Sequence, residues 1–143
     1  MEETVRARGH ENVTARHAST FEVTSEGFLT PAGDCILGIE ADRVPADFDR
    51  AFVEACRDPD AAITAPLAVD DGAGTVHTET ITGRGHPDLA FDDGTSLVGR
   101  TSEYVDGRTV LVGAAGAAAD VDRRMVDALA LGADLTLTLA VER

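Results

Sequence analysis

The sequence predicts an α+β fold in a single domain, residues 1–143, built from a strand-strand-strand-helix-strand unit that occurs twice. Three observations predict this fold. Short segments recur in the same order in both halves, several stretches alternate with a period of two, and two stretches have helical spacing. We place the internal repeats at approximately 4–71 and 75–143. The prediction is a pseudo-twofold β-barrel or two-layer sheet with two helices, because a unit with one helix buries too little surface to fold alone.

Three pairs of segments carry the recurrence. They are 4–10 (TVRARGH) with 80–86 (TITGRGH), 46–55 (ADFDRAFVEA) with 119–128 (ADVDRRMVDA), and 67–69 (LAV) with 139–141 (LAV). Matches in one order with small changes of spacing are typical of a tandem duplication with loop insertions. Positions shared by both halves are therefore predicted to be scaffold, and positions that differ are candidates for function.

The first three strands of the first half are predicted from alternation and from an apolar run. A short strand runs from Thr4 to Arg8 and ends at a Gly-His break. A longer alternating stretch runs from Val13 to Thr24, and its β-branched residues favour a half-buried strand. The nearly continuous apolar run Cys35–Ile39 is typical of a strand buried on both faces.

The helix of each half has one apolar face. In the first half the helix follows Pro45, has aspartates near its positive end and stops at Asp58-Pro59. In the second half Gly132 is the stop. The residues that share the two apolar faces are Phe48, Phe52, Ala55 and Cys56, then Val121, Met125, Ala128 and Leu129.

Each half closes with a strand, and a tight turn joins the halves. The closing strands are predicted from Ile63 to Val69 and from Leu135 to Val141. The segment 70–74 (DDGAG) between two strand-like runs predicts a hairpin rather than an interdomain linker. The strand-strand-helix-strand core, with Gly33-Asp34 just before a strand, is reminiscent of double-psi barrels, an analogy of fold that carries no function.

The charge composition indicates the salt concentration of the protein's surroundings more than it indicates its binding partners. The formal net charge is −14, with 26 acidic residues against 12 basic ones, and every basic residue is arginine. An acidic, lysine-free surface suits a very salty cytoplasm, where screening shortens like-charge repulsion, and we predict a haloarchaeal or salt-loving bacterial source. Without a cluster of basic residues, nucleic-acid binding is disfavoured. No run is long enough to span a membrane and no secretory signal is visible, so a soluble cytoplasmic protein is predicted.

The histidines are the first candidates for chemistry. His10 and His86 share one Arg-Gly-His context, which favours a turn in which glycine takes positive φ and histidine bonds the backbone. A twofold axis that brings the two together is the alternative. His17 has no partner in the second half, and its strand position predicts either a core histidine or a ligand.

An acidic and thiol-bearing segment lies near these histidines in the predicted fold. Imidazole, carboxylate and thiol groups suit a transition-metal site or acid–base catalysis, and the set predicted here is His10, His17, Glu22, Asp34 and Cys35. Glu22 falls on the strand face opposite His17, so both reach one pocket only across a bulge. Cys35 opens a buried strand, which favours inert packing over nucleophilic catalysis.

The second half contributes its own polar group. Arg100, Arg108 and Tyr104 could bind a carboxylate or phosphate, or could be solvated side chains on a hairpin. Because Asp34 aligns with Arg108, a structural ion pair between the halves is predicted. The sequence lacks the Walker motif, G-x-S-x-G and H-E-x-x-H, and no C-x-x-C pair indicates zinc.

The chain resembles the archaeal domain-of-unknown-function family three hundred and seventy-one. The resemblance covers nearly the whole chain and rests on segments 8–17, 20–24, 29–36, 85–89, 102–109 and 119–123. It implies small single-domain archaeal proteins with no established activity. The family pattern carries an Ala-Asp pair after each buried strand. Ala41-Asp42 keeps it, whereas the second half reads Ala115-Gly116, so Asp42 stands alone.

We predict a protein that binds a small molecule or a metal, with a site built mainly by the first repeat and with enzymatic activity and cofactor left open. The alternatives are a non-catalytic interaction or scaffold protein and, third, an RNA-associated protein. A homo-oligomer is compatible with each of them, and no membrane partner is expected. The candidates are His17, Asp34 and Cys35 as catalytic residues, His10 and His17 as metal ligands, and His10, Asp42, Arg100 and Arg108 as ligand-binding residues.

Overall fold

A computed structural model describes residues 1–142, which form a mixed α+β fold of eight strands, two α-helices and two single 3₁₀ turns. The 3₁₀ turns are Pro45–Asp47 and Ala118–Asp120. The strands and helices in chain order are β1 Glu2–Arg8, β2 Thr20–Thr24, β3 Ile36–Gly38, α1 Arg50–Cys56, β4 Ala62–Asp70, β5 Val76–Arg84, β6 Ser96–Arg100, β7 Thr109–Leu111, α2 Arg123–Ala130 and β8 Asp134–Glu142.

The strands form two four-stranded sheets rather than a barrel. The first sheet has the order β1-β8-β4-β5 and is antiparallel throughout. The second has the order β3-β2-β6-β7, with β2 and β6 antiparallel at its centre and a parallel strand at each edge. Between the sheets only the isolated bridges Arg8–Ile39 and Arg84–Val112 are formed within the described chain. The barrel prediction is therefore wrong, because single bridges do not close the edges.

The core lies on the inward faces of the strands. Strands β4 and β8 alternate buried with half-buried residues along their whole length, as the period of two predicts. From the second sheet Phe21, Val23, Leu37 and Leu97 join the same buried cluster. Helix α1 contacts β8 and helix α2 contacts β4, so each helix packs on the closing strand of the other half.

Each helix begins with an aspartate as its N-cap residue. Asp49 accepts the N–H of Ala51 at the start of α1, and Asp122 accepts that of Arg124 at the start of α2. Each α-helix is short, seven and eight residues, so its stability depends on this capping and on the buried face. The predicted helices are confirmed, and Gly132 at φ 89° follows α2 as predicted.

The predicted strand from Val13 to Thr24 is correct only from Thr20 onward. Ala15 has φ 48°, which is incompatible with an extended strand. The N–H groups of Arg16 and His17 both donate to the carbonyl of Asp34 instead of to a neighbouring strand. The segment nevertheless buries Val13 and Ala15, which is why its alternation imitates a strand.

The two halves are joined by the predicted hairpin. Strands β4 and β5 pair over nine residues each, and the turn between them has Gly72 and Gly74 at positive φ. The Asp71 carboxylate accepts the N–H groups of Ala73 and Thr75. Among residues 1–142 no helix has the length and apolarity needed to cross a membrane.

Candidate functional site: a polar cluster on the second sheet

The outward face of the second sheet collects the chain's unusual polar side chains. Phe21 and Val23 of β2 point into the core, so Thr20, Glu22 and Thr24 point outward by alternation. Parallel neighbours cannot be joined by a tight turn, so segments 25–35 and 101–108 carry the chain back between the parallel strands. The result is a polar face partly buried by its own connections.

Backbone pairing places four residues in one row across this sheet. The N–H of Glu22 donates to the carbonyl of Cys35 at 2.8 Å, and the N–H of Val98 donates to the carbonyl of Arg108 at 2.8 Å. Glu22 and Val98 are themselves direct partners in the β2–β6 ladder. The order across the sheet is therefore Cys35, Glu22, Val98, Arg108. We call Glu22, Cys35, Arg100, Asp106 and Arg108 the Glu22 cluster.

Cys35 donates a hydrogen bond to Glu22. Its Sγ lies 3.5 Å from Oε1 of Glu22. Burial raises the pKa of the Cys35 thiol to about 11, and the negative charge and hydrogen bond of Glu22 add to the effect. The thiol therefore keeps its proton near neutral pH, and thiolate chemistry at this position is suppressed.

Asp106 holds the two arginines of the cluster. Its Oδ2 lies 3.0 Å from NH2 of Arg100 and 3.0 Å from NH2 of Arg108. Burial opposes ionisation, but hydrogen bonds from the Arg108 side chain and N–H and the charges of both arginines outweigh it, lowering the pKa of Asp106 to about 2. Hydrogen bonding to Asp106 in turn raises the pKa of Arg108. Arg108 is thus paired with Asp106, which corrects the predicted ion pair with Asp34.

Arg100 is the more buried arginine. Its Nε donates to Oγ1 of Thr109 at 2.9 Å, and its guanidinium lies 4.8 Å from the centre of the Tyr104 ring. Only 11% of its side chain is exposed, against 43% for Arg108. Arg100 therefore serves mainly to build the cluster, while Arg108 is accessible to a ligand.

His17 and Asp34 lie at the Cys35 end of the cluster. The Nδ1 of His17 accepts the N–H of Thr20 at 3.1 Å and lies 2.9 Å from its Oγ1. The Thr20 side chain also hydrogen-bonds Cys35. The N–H of His17 donates to the backbone carbonyl of Asp34 at 3.3 Å, so the backbone of His17 lies against the residue that precedes Cys35. His17 lies in a loop and not on the apolar face of a strand, so strand alternation does not determine its orientation relative to Glu22.

His10 lies elsewhere, in a turn. Its Nδ1 accepts the N–H of Asn12 at 3.0 Å. The glycine before it has no positive φ, so that part of the prediction is wrong. Gly9 is needed for close approach, since a Cβ there would lie 1.9 Å from the carbonyl oxygen of Leu129 at the end of α2.

His86 repeats this arrangement at the other helix. Its Nδ1 accepts the N–H of Asp88 at 3.0 Å. A Cβ on Gly85 would lie 2.2 Å from the carbonyl oxygen of Cys56, at the end of α1. Both histidines are bound into equivalent turns beside different helices, which supports the scaffold interpretation.

Asp42 is also separate from the cluster. Its Oδ1 accepts the N–H of Arg6 at 2.8 Å, on the edge strand of the first sheet. No group of three or more His, Cys, Asp or Glu side chains within residues 1–142 is arranged to hold a metal ion. The metal-ligand candidates His10 and His17 therefore belong to no such group among the described residues.

A groove of about 620 Å³ lies away from the cluster, beside the β4–β5 hairpin and α2. His77 and Asp71 form an ion pair of 3.6 Å on its wall when the histidine is protonated. Leu131 on the rim is 90% exposed. This groove was missed by the sequence analysis because it combines a turn with the end of a distant helix.

Sequence analysis also missed Asp106. Its signal was local: Asp106-Gly107-Arg108-Thr109 has an acidic residue before glycine, as turns often do. The carboxylate accepts the N–H of Arg108 at 3.0 Å, and its two-residue spacing is that of an Asx turn. A reading of the turn would have placed a carboxylate directly beside Arg108.

Fold and cluster together define a small α+β protein with two open sheets and a polar cluster on the outward face of one of them. Residues 5–142 match the model of a domain of unknown function, DUF371, and the chain belongs to that family. It is 38% identical over 141 residues to the uncharacterised protein MJ0206 of Methanocaldococcus jannaschii, covering 99% of this chain and 100% of that relative. The predicted family is confirmed.

Proposed function

We propose that the protein binds a small polar molecule at the Glu22 cluster. The observation that carries the proposal is that Glu22 and Arg108 lie on one sheet face with opposite charges and form no ion pair with each other in the described chain. Opposite charges held near each other without contact leave room for a bridging ligand or water. A ligand with both an anionic group and a hydrogen-bond donor, such as a small zwitterion, matches this pair.

Each member of the cluster has a distinct part in this proposal. Arg108, oriented by Asp106, would bind the anionic group of the ligand through its accessible guanidinium. Glu22 would accept a hydrogen bond from the ligand's donor, and the protonated thiol of Cys35 keeps one Glu22 oxygen in place. The exposed rings of Phe28 and Tyr104, each 61% accessible, lie on the two return segments and could cover an apolar part of the ligand.

The test is a ligand screen by NMR chemical-shift mapping in molar KCl, using amino acids, carboxylates and phosphates. Binding should perturb the amides of Glu22, Cys35 and Arg108, and Glu22→Gln and Arg108→Gln should each weaken it about tenfold. The matched control is Arg57→Gln, since Arg57 is an exposed arginine whose contacts, with Glu54 at 4.0 Å and with the Pro87 carbonyl at 3.0 Å, lie outside the cluster. Saturable binding of ligands without a guanidinium group that survives both cluster variants, or that occurs only at another surface, would contradict the proposal.

A second candidate function is a non-catalytic interaction protein. It is favoured by the 90% exposed Leu131 on the rim of the groove beside the hairpin. Light scattering of wild type and Leu131→Ser would distinguish it, since a homo-oligomer formed through this rim should dissociate in the variant. An RNA-associated role has less support, because many arginines are already paired with carboxylates instead of being available to phosphates. Arg8, Arg84 and Arg124 form such pairs, and so do the two cluster arginines.

We also propose that the chain arose by tandem duplication and works in a salty cytoplasm. The duplication is supported by the repeated element order and by the matched caps of both helices. The second idea is supported by the net charge of −14 without lysine. The unfolding temperature should then rise steeply between 0.1 and 2 M KCl, concentrations of the order needed to screen surface charge.

A further inference from the structure

We propose that the second half contains a binding slot for a guanidinium group, at the position where the first half holds its own Arg43. Backbone bonds on either side define that position. The residue before Arg43, Asp42, donates its N–H to the carbonyl of Arg6 at 2.9 Å. The residue after it, Val44, donates its N–H to Oδ2 of Asp47 at 3.0 Å.

The same two bonds frame Gly116 in the second half. Ala115 donates its N–H to the carbonyl of Thr82 at 2.8 Å, and Ala117 donates its N–H to Oδ2 of Asp120 at 2.9 Å. Glycine therefore stands where the first half has arginine. The difference removes a whole side chain from an otherwise matched backbone.

In the first half Arg43 is held on several sides. Its NH1 lies 2.6 Å from Oε2 of the buried Glu3 and 3.3 Å from the carbonyl oxygen of Thr4. Its NH2 donates to the carbonyl oxygen of Asp47 at 3.2 Å, and the guanidinium lies 5.3 Å from the centre of the Phe48 ring. This is a complete guanidinium environment, with a carboxylate, two carbonyl oxygens and a ring face.

The second half keeps the carboxylate and lacks the arginine. Glu79 accepts the N–H of Asp122 through Oε2 at 3.0 Å, as Glu3 accepts that of Asp49 through Oε1 at 2.9 Å. The other oxygen of Glu79 has no hydrogen-bond partner among residues 1–142. A slot of about 150 Å³ lies beside it, and its lining includes Glu79, Thr80, Gly116, Asp120 and Val121.

The chemistry of the occupant follows from this comparison. A planar guanidinium can donate to the open Glu79 oxygen and to neighbouring backbone carbonyls at once, whereas an ammonium donates from a single point. Val121 occupies the position that corresponds to Phe48, so the slot lacks an aromatic ring for a cation–π contact. The ion pair between the guanidinium and Glu79 is therefore expected to provide most of the binding free energy. The occupant is a guanidinium, carried either by a free small molecule or by an arginine of a second copy of this chain.

The test titrates N-methylguanidinium into ¹⁵N-labelled protein in molar KCl, with N-methylammonium as the control cation. Saturable shifts at Glu79, Thr80 and Gly116 are expected with the guanidinium and not with the ammonium. Glu79→Gln should weaken binding about tenfold, since it removes the charged acceptor. Binding that is equal for both cations, unchanged in Glu79→Gln or located elsewhere would overturn the proposal.

Two further variants use the first half as the template. Gly116→Arg should fill the slot and abolish binding, because a Cβ there meets nothing closer than the Asp120 Cβ at 3.4 Å. Arg43→Gly should create a second slot and raise the stoichiometry from one to two. Retained binding in Gly116→Arg would overturn the proposal, and this outcome does not depend on whether Arg43→Gly folds.

Sedimentation equilibrium identifies the source of the guanidinium. Self-association that is lost in Gly116→Arg and competed by N-methylguanidinium assigns the slot to an arginine of a second copy. A monomer that binds N-methylguanidinium saturably assigns it to a free small molecule. A protein that neither self-associates through the slot nor binds the probe would overturn the proposal.

Discussion

The two halves of the chain share several backbone hydrogen bonds and helix caps, and they differ in charged side chains at two places that matter for the proposed binding. Both halves have a Gly-His turn against a helix end and an aspartate cap before the helix. On the outward face of the second sheet, however, Glu22 faces Val98 across the central ladder. At the edge of the first sheet Arg43 is matched by glycine. The comparison teaches that the turns and caps around the helices occur in both halves, whereas the charged groups at the two proposed binding positions do not.

The strongest way to break the comparison is to strain the framework that the halves share. Gly9→Ala and Gly85→Ala should each destabilise the protein by about 3 kcal/mol, because the added Cβ overlaps a carbonyl oxygen that cannot move away. Urea unfolding in molar KCl would measure both. Gly94→Ala is the control, since nothing lies within 4 Å of a Cβ there. A large loss for one glycine only would show that the two turns are not equivalent.

The next largest effect is expected at Asp106, a carboxylate of the second half for which the sequence repeat gives no acidic counterpart in the first half. Asp106→Asn should cost about 2 kcal/mol of unfolding free energy, because it leaves the buried Arg100 without its charged partner. The cost is less than that of a fully buried pair, since Arg108 remains partly solvated. Glu103→Gln, which breaks the exposed pair with Arg84, should have no detectable effect. Equal effects for the two variants would contradict this ranking.

The same carboxylate predicts an acid transition. The pKa of Asp106 is about 2 in the folded protein and about 3.9 in an unfolded chain. Its contribution is therefore complete above about pH 4 and is lost as the pH falls through about 2. In chemical unfolding between pH 5 and 2, Asp106→Asn should flatten the decline in stability, and a parallel decline in both proteins would exclude this role.

The smallest effect is a change in thiol reactivity. With a pKa of about 11, Cys35 should be alkylated by iodoacetamide slowly at pH 8 and progressively faster up to pH 11. Glu22→Gln should shift this profile to lower pH, because it removes the negative charge beside the thiol. Peptide mass spectrometry would follow Cys35 separately from Cys56. Rapid alkylation at neutral pH would show that the thiol is ionised and would reopen nucleophilic catalysis.

Sequence patterns predicted the elements that are specified by signals within their own segments. The helices, strands β4 and β8 and the hairpin carry strong periodicity, caps or glycine signals, and each lies within a residue or a few of its predicted place. The segment 13–19 was misassigned because its alternation reflects burial of Val13 and Ala15 in a loop. No local pattern reveals that the Asp34 carbonyl replaces a strand partner there.

The candidate site was predicted in part for the same reason. Cys35, Arg100 and Arg108 were named because of their residue types, and they do lie on one sheet face. Glu22 lies between Cys35 and Arg108 because β2 pairs with β6 and each of them pairs with an edge strand. The sequence does not reveal which strands pair. Arg108 pairs with Asp106 and not with the predicted Asp34. Asp106 is only two residues away, in the segment that returns the chain from β6 to β7. Such relations follow from topology and were not visible in spacing.

The pairing of β1 with β8 has a consequence for how this protein is made. Because β1 precedes β8 in the chain, Glu2–Arg8 leave the ribosome more than 100 residues before their partners Asp134–Ala140. The central ladder of the first sheet also needs β8, so the four-stranded sheet cannot form before β8 is made. Contacts so distant along the chain slow folding. The β4–β5 hairpin has its own pairing, but β1 stays without a strand partner until β8 has been translated.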